Sequence, residues 1–177
     1  MTMRTIAAAA LLVAAMPAQA ADLSTMDCVA KKLVPALRTQ IEADTARNLG
    51  ESGKRPSYDP SVGKGLSAAA DACVTENKWS AGAARAASIY ALAKVGLPVA
   101  QRVLAERGFD PAALEDQFQA LPEETRDRPL TAVESQGLIR AAVTQELQQT
   151  RENAELLAEY FAFLSTLQYA AWDFAQG

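Results

Sequence analysis

The C-terminal quarter of the chain carries the feature that most restricts its fold. Residues 131–174 contain no proline and a single glycine, Gly137, and their apolar side chains recur at helical spacing. A helix with such a broad apolar face must bury it against other helices. Since no segment of the chain alternates polar and apolar residues as a strand does, we expect an all-α bundle of about five to seven helices with a long C-terminal helix.

Polar residues interrupt the apolar face of this stretch near residues 147–153. Glu146, Gln149 and Asn153 project onto the side that is apolar elsewhere. Because burial of an unpaired carboxylate is costly, the favoured interpretation is that the long helix bends or breaks here. The alternative is a polar pocket in the bundle, lined by these three residues and Gln168, that holds an ion or a small ligand.

The end of the same stretch holds most of the aromatic side chains of the chain. Their arc on the helical wheel is wider than one packing seam requires, which favours an interaction surface made of Tyr160, Phe163, Trp172 and Phe174. The alternative is that these rings fill the ordinary core of the bundle. A surface of this kind would bind a protein or peptide partner, and that partner could also be a second copy of the chain in a homodimer.

The first twenty residues have the composition of a secretory signal peptide. Arg4 precedes an apolar run over residues 6–15, and the segment ends at Ala20 in the Ala-x-Ala pattern that signal peptidase cleaves. The run is shorter than the roughly 20 residues that span a bilayer. We therefore expect cleavage after Ala20, a periplasmic or secreted location, no transmembrane segment after cleavage, and a single domain over residues 21–177.

The two cysteines, Cys28 and Cys73, predict a disulfide bond in an exported chain. They lie near the start of one predicted helix, residues 24–49, and near the end of the next, residues 60–77. The bond would therefore staple an N-terminal helical hairpin, and closing its loop should stabilise the fold by about 4 kcal/mol in the chain-entropy model. Pro35 is expected to kink or break the first helix.

The middle of the chain predicts a central helix that is rich in alanine. Ser80 is its N-cap and Gly96 its end, and the small side chains between them allow neighbouring helices to approach closely. Pro98 is expected to open a separate short helix that stops at Gly108. Asp110, followed by a proline, has the pattern of an N-cap for another helix.

Composition excludes several classes of function. The chain contains no histidine, which excludes Ser-His-Asp and Cys-His catalysis and histidine metal sites. Its formal net charge is −4 and it has no Lys/Arg cluster, so nucleic acid is not an expected partner. A calcium-loop pattern that starts at Asp59 fails because its closing position is Ala70 instead of glutamate. We expect neither a cofactor nor a metal.

Two short motifs resemble those of cell-wall enzymes. Glu134-Ser135 resembles the Glu-Ser catalytic motif of lytic transglycosylases, a resemblance that would make Glu134 a general acid. The other motifs of that family are missing, and Glu134 also fits as the capping partner of Thr131. Ser61 and Lys64 have the Ser-x-x-Lys spacing of penicillin-binding proteins, without the companion motifs. Because both matches are incomplete, the sequence favours a protein that is not an enzyme, but it does not decide the question.

The sequence thus leads to an exported helical protein, most simply a non-catalytic protein- or peptide-binding module of the bacterial periplasm. Two alternatives stay open. One is a helical cell-wall hydrolase or lyase that uses Glu134. The other is binding of a small ligand in the bundle near Glu146. The sequence favours the binding module over these two alternatives.

Overall fold

The computed structural model describes residues 21–177, and the predicted signal peptide lies outside these residues. Within this part the chain is all-α, without strands, as the periodicity predicts. Two 3-10 turns, Leu23–Thr25 and Glu146–Gln148, accompany eight α-helices. The helices are α1 (Cys28–Lys32), α2 (Pro35–Gly50), α3 (Pro60–Asn77), α4 (Ala81–Glu106), α5 (Pro111–Gln119), α6 (Glu123–Arg126), α7 (Ala132–Ala142) and α8 (Arg151–Gln176).

The N-terminal hairpin forms as the sequence indicates. Pro35 breaks the first predicted helix into α1 and α2, because the residue before a proline is pushed into the extended conformation that Val34 adopts. Helix α3 begins where Asp59 caps it. The disulfide between Cys28 on α1 and Cys73 on α3 is present, with the two Cα atoms 6.0 Å apart.

Helix α4 differs from the expectation of two helices, since it runs without interruption through Pro98. A proline inside a helix removes one backbone hydrogen bond and costs about 3 kcal/mol. The helix continues because both halves bury apolar residues, mainly against α8. Gly96 is not a helix end: a Cβ atom there would lie 2.8 Å from the Phe163 ring and 3.1 Å from Thr45 Oγ1. This glycine therefore serves the close approach of neighbouring helices.

Helices α4 and α8 form the antiparallel centre of the bundle, and two groups of buried side chains lie along them. Core 1 surrounds the disulfide, and there the rings of Trp79 and Phe174 meet edge to face at 5.0 Å. Core 2 lies at the other end, where Leu104, Phe118 and Tyr160 are fully buried. The two central helices therefore connect both cores.

The C-terminal stretch is divided at its polar interruption. Helix α7 ends at Ala142, and α8 begins after Thr150, whose side chain accepts a hydrogen bond from the backbone N–H of Asn153. The intervening residues 143–150 form an irregular segment around a 3-10 turn. The expected break is therefore present, but it lies at residues 143–150, somewhat earlier than the predicted 147–153, because α8 begins directly after its N-cap Thr150. Among the described residues, no helix combines the length and the apolar composition that a membrane crossing requires.

Candidate functional site

A cleft of about 350 Å³ lies where the α2–α3 loop, residues 51–59, passes over the start of α8. Loop residues up to Arg55 form one wall and the first turns of α8 form the other. Arg107, at the C-terminal end of α4, also lines it. The volume falls at the lower end of the range of about 300–1,000 Å³ that is usual for small-ligand sites.

Glu155 of α8 holds the tip of the loop. Its carboxylate accepts hydrogen bonds from the hydroxyl of Ser52, from the backbone N–H of Gly53 at 2.8 Å, and from Arg151 Nε at 2.7 Å. These donors, with Ser52 and Arg151 the strongest, lower the pKa of Glu155 to about 2. Gly53 has a φ of 78°, which a residue with a side chain would adopt only with strain. The loop is therefore fastened to α8 by a carboxylate that is ionised at neutral pH.

Asp44 of α2 holds the base of the same loop. It is fully buried, and it accepts hydrogen bonds from the backbone N–H of Asp59 at 2.8 Å, from Gln40 Nε2 at 3.1 Å and from Arg47. Burial by itself would raise the pKa of Asp44, but these donors outweigh it and the pKa lies below the ordinary value. With both tip and base anchored, the loop is a fixed wall of the cleft.

Glu159 is the half-buried carboxylate of the cleft that has no partner, whereas Glu152, also without a partner within residues 21–177, is exposed to solvent. Within the described part of the chain Glu159 makes no ion pair or hydrogen bond. Burial raises its pKa above the ordinary glutamate value. Burial also raises the pKa of nearby Tyr58, and the charge of Glu159 adds to that shift. A cation would therefore relieve an unfavourable charge at this position.

The cations of the cleft divide into paired and unpaired groups. Arg151 is paired with Glu155, whereas Arg55 and Arg107 form no ion pair among residues 21–177. Arg107 is exposed, and its guanidinium donates to Asn153 Oδ1 at 3.4 Å. An exposed guanidinium without an ion pair can bind a carboxylate through two parallel hydrogen bonds. The cleft thus offers unpaired groups of both signs.

The structure does not gather the four residues of the predicted polar pocket. Glu146 and Gln149 are exposed on the segment between α7 and α8. Asn153 is buried, and its amide donates to a backbone carbonyl of that segment at 3.1 Å. Gln168 lies about 22 Å further along α8, where it donates to Asp127 at 3.4 Å. Asn153 has the more local role of tying the 3-10 turn to the helix that follows.

The four aromatic residues of the predicted interaction surface occupy different environments. Tyr160 and Phe174 are fully buried in the two cores, and Phe163 is half-buried against core 2. The Tyr160 hydroxyl donates to the backbone carbonyl of Pro111 at 3.0 Å. Trp172 is 45% exposed. Most of the arc is therefore core, and Trp172 is the member left open to a partner.

Glu134 is engaged in interactions that do not suit a general acid. Arg128 lies 2.6 Å from its carboxylate, and it forms the predicted capping box with Thr131. Arg128 first, and Thr131 second, lower the pKa of Glu134 to about 2. The side chain is ionised at neutral pH and has no proton to donate. No group of three or more acidic or cysteine side chains within residues 21–177 is arranged to hold a metal ion.

Sequence reasoning did not find the cleft, although two signals of it were visible. Lys54 and Arg55 form a small basic spot in the loop, and Glu155 and Glu159 lie one turn apart on the polar face of α8. Each pair by itself is typical of a solvated surface. The contact between the loop and α8 joins residues more than 100 positions apart in the chain, which no local pattern records.

Comparison with known proteins adds no relative. The chain matches no protein-family model, no curated protein and no solved structure. Function is therefore inferred from the geometry of the described residues alone.

Proposed function

We propose that this protein is an exported, non-catalytic binding protein that holds a peptide segment in the cleft between loop 51–59 and α8. The observation that supports the proposal most is the fixed cleft with unpaired charges of both signs, the half-buried Glu159 together with Arg55 and Arg107. A peptide carries both charges and many polar backbone groups. In ligand sites a few convergent polar groups fix the orientation of the bound molecule beside apolar side chains. The apolar side chains are here Leu49, Leu156 and Ala158.

The anchoring of the loop indicates that a ligand binds to a preformed site and that binding requires no large conformational change. Glu155 and Asp44 fasten its tip and its base, so a ligand would enter a wall that is already formed. Binding to a preorganised site avoids the entropy cost of ordering a loop. A peptide-binding role is compatible with this rigidity.

The proposed location is the periplasm or the secreted space. The N-terminal sequence pattern supports export. The disulfide between Cys28 and Cys73 supports it independently, because such bonds persist in oxidising compartments and are rare in the cytosol.

A second candidate is a cell-wall hydrolase that uses the cleft in place of Glu134. Glu155 and Glu159 lie one turn apart, and their pKa values move in opposite directions, which is the pattern of a paired acid and base. Against it, both oxygens of Glu155 already accept hydrogen bonds, from Ser52, Gly53 and Arg151. Release of muropeptides from purified cell wall by the wild-type protein, lost in Glu159→Gln, would favour this candidate over binding.

Screening of a library of free synthetic peptides of different lengths against the purified protein tests the first candidate. Selected peptides should bind the wild type and lose affinity for the double variant Arg107→Gln/Glu159→Gln, because one unpaired charge of each sign is then removed from the cleft. Trp172→Ala is the control outside the cleft and should bind as the wild type does. Failure to select any peptide, or equal binding by the double variant, would contradict the proposal.

A further inference from the structure

Two unpaired groups of the cleft, Arg107 and Glu159, lie at different positions along the axis of α8. Arg107 contacts Asn153 on the first turn of the helix, and Glu159 projects from a position about 9 Å further along the helix axis. Between them, Glu155 is already neutralised by Arg151. Arg107 and Glu159 therefore lie towards opposite ends of the α8 wall of the cleft, and Arg55 on the loop is a second unpaired cation.

A ligand with a single charge would satisfy only one end. A half-buried carboxylate without a partner is unfavourable, and a bound ammonium group would stabilise it. At the other end, a carboxylate would receive two hydrogen bonds from the Arg107 guanidinium. Glu152 lines the same end, but it is exposed and its repulsion is screened by solvent. The matching ligand has an ammonium and a carboxylate group at its two ends.

We infer that the cleft binds a short peptide by its two free termini, with the α-ammonium group at Glu159 and the α-carboxylate at Arg107. An extended chain spans about 3.3–3.6 Å per residue, so an axial separation of about 9 Å along α8 requires a peptide of at least about three residues. The cleft volume of about 350 Å³ suits a ligand of that size. This inference rests on the proposed function, since it names which peptides the cleft takes.

Titration of the full mature chain with trialanine tests the inference, with binding followed by NMR chemical shifts and by calorimetry. Trialanine with both ends free should bind at least about tenfold more tightly than N-acetyl-trialanine or trialanine amide, because each modification removes one charge-assisted contact. Equal binding of the free and the modified peptides would overturn the inference.

Variants assign each end of the peptide to a residue. In Glu159→Gln the penalty of N-acetylation should disappear while the penalty of C-amidation remains, and Arg107→Gln should show the reverse. Such double-difference measurements isolate the pairwise contact from general damage to the cleft. Glu106→Gln, an exposed neighbour outside the cleft lining, is the matched control and should keep both penalties. Penalties that persist in both cleft variants would contradict the assignment.

The outcomes separate this inference from the proposed function. If longer peptides of the free library bind through the cleft but trialanine does not, recognition of the termini is wrong and peptide binding stands. If neither the library peptides nor trialanine bind, both statements are wrong.

Discussion

Glu159 and Glu155 lie one helical turn apart, yet they have opposite effects on the folded protein. The Glu155 carboxylate accepts hydrogen bonds that hold the loop, whereas Glu159 is half-buried without a partner within residues 21–177. An unpaired group at a cleft is a cost in stability that a ligand can recover. The contrast identifies Glu159 as the residue where stability and binding should change in opposite directions.

Replacement of Glu159 by glutamine should stabilise the protein at pH 7 by less than about 1 kcal/mol, because it removes a carboxylate that burial disfavours. The same variant should weaken peptide binding. Urea unfolding at neutral pH measures the first effect. Glu152→Gln, an exposed residue of the same cleft, is the control and should leave stability unchanged.

Replacement of Asp44 by alanine should destabilise the protein by about 3 kcal/mol, because three donors would lose a fully buried acceptor. Asp44→Asn keeps an acceptor oxygen and should cost less. Asp71→Ala on the exposed face of α3 is the matched control and should stay within about 0.5 kcal/mol of the wild type. An Asp44→Ala variant as stable as the control would show that the base of the loop is not held as described.

The pKa of Glu155 predicts how stability depends on acid. In the folded protein this pKa is about 2, below the ordinary value of 4.5, so the unfolded chain binds the proton more tightly. The stabilisation is fully present above pH 4.5 and is lost as the pH falls from about 4.5 through about 2. Unfolding free energies measured over this range should fall less steeply in Glu155→Gln than in the wild type. Parallel curves would contradict the prediction.

At the scale of the helices, α4 shows how packing outweighs a local rule. Gly96 and Pro98 together have the pattern of a helix end and a new start, yet the helix continues. Its two halves lie against the same partner, α8, and a break would separate buried surfaces of both. The absent Cβ of Gly96 leaves room for the Phe163 ring and Thr45, so the glycine has a tertiary function.

Substitution of Gly96 by alanine should therefore destabilise the protein by about 1–3 kcal/mol, even though alanine favours helix formation. Gly63→Ala in α3 is the matched control, because nothing lies within 4 Å of the added Cβ there. It should stabilise the protein by up to about 1 kcal/mol. Thermal or urea unfolding of both variants checks the pair, and equal effects would contradict the role assigned to Gly96.

At the scale of the whole molecule, α4 and α8 run through both cores, while the disulfide closes the N-terminal end by joining α1 to α3. Such continuity favours cooperative unfolding of residues 21–177 as a single domain, which stays a prediction. Trp79, buried in core 1, reports on one end, and circular dichroism reports on all helices. The two unfolding transitions should coincide.

Removal of the disulfide should cost stability without changing the fold. The double variant Cys28→Ser/Cys73→Ser should lose about 2–5 kcal/mol relative to the oxidised wild type, measured by urea unfolding. Reduced wild type is the control and should resemble the double variant. A loss confined to the wild type under reduction, with a fully stable double variant, would contradict the prediction.

Much of the fold could be read from local patterns. Helices α3, α5 and α7 each begin after an N-cap residue. These residues are Asp59, Asp110 and Thr131, and each accepts a hydrogen bond from a backbone N–H group two or three positions further along the chain. The break at Pro35 has an equally short-range cause. The pairing of Cys28 with Cys73 followed because the chain holds two cysteines and no others. These features depend on a few neighbouring residues or on a count.

The sequence by itself therefore determined an all-α fold, most helix ends and the disulfide. Only the tertiary structure decided that α4 is continuous, that Tyr160 and Phe174 are core, and that a charged cleft exists. The physical reason is the range of the interactions. A cap joins residues two or three positions apart, whereas the cleft depends on contacts such as that between Ser52 and Glu155, 103 positions apart. Such contacts form only when the packing of the other helices brings the two segments together.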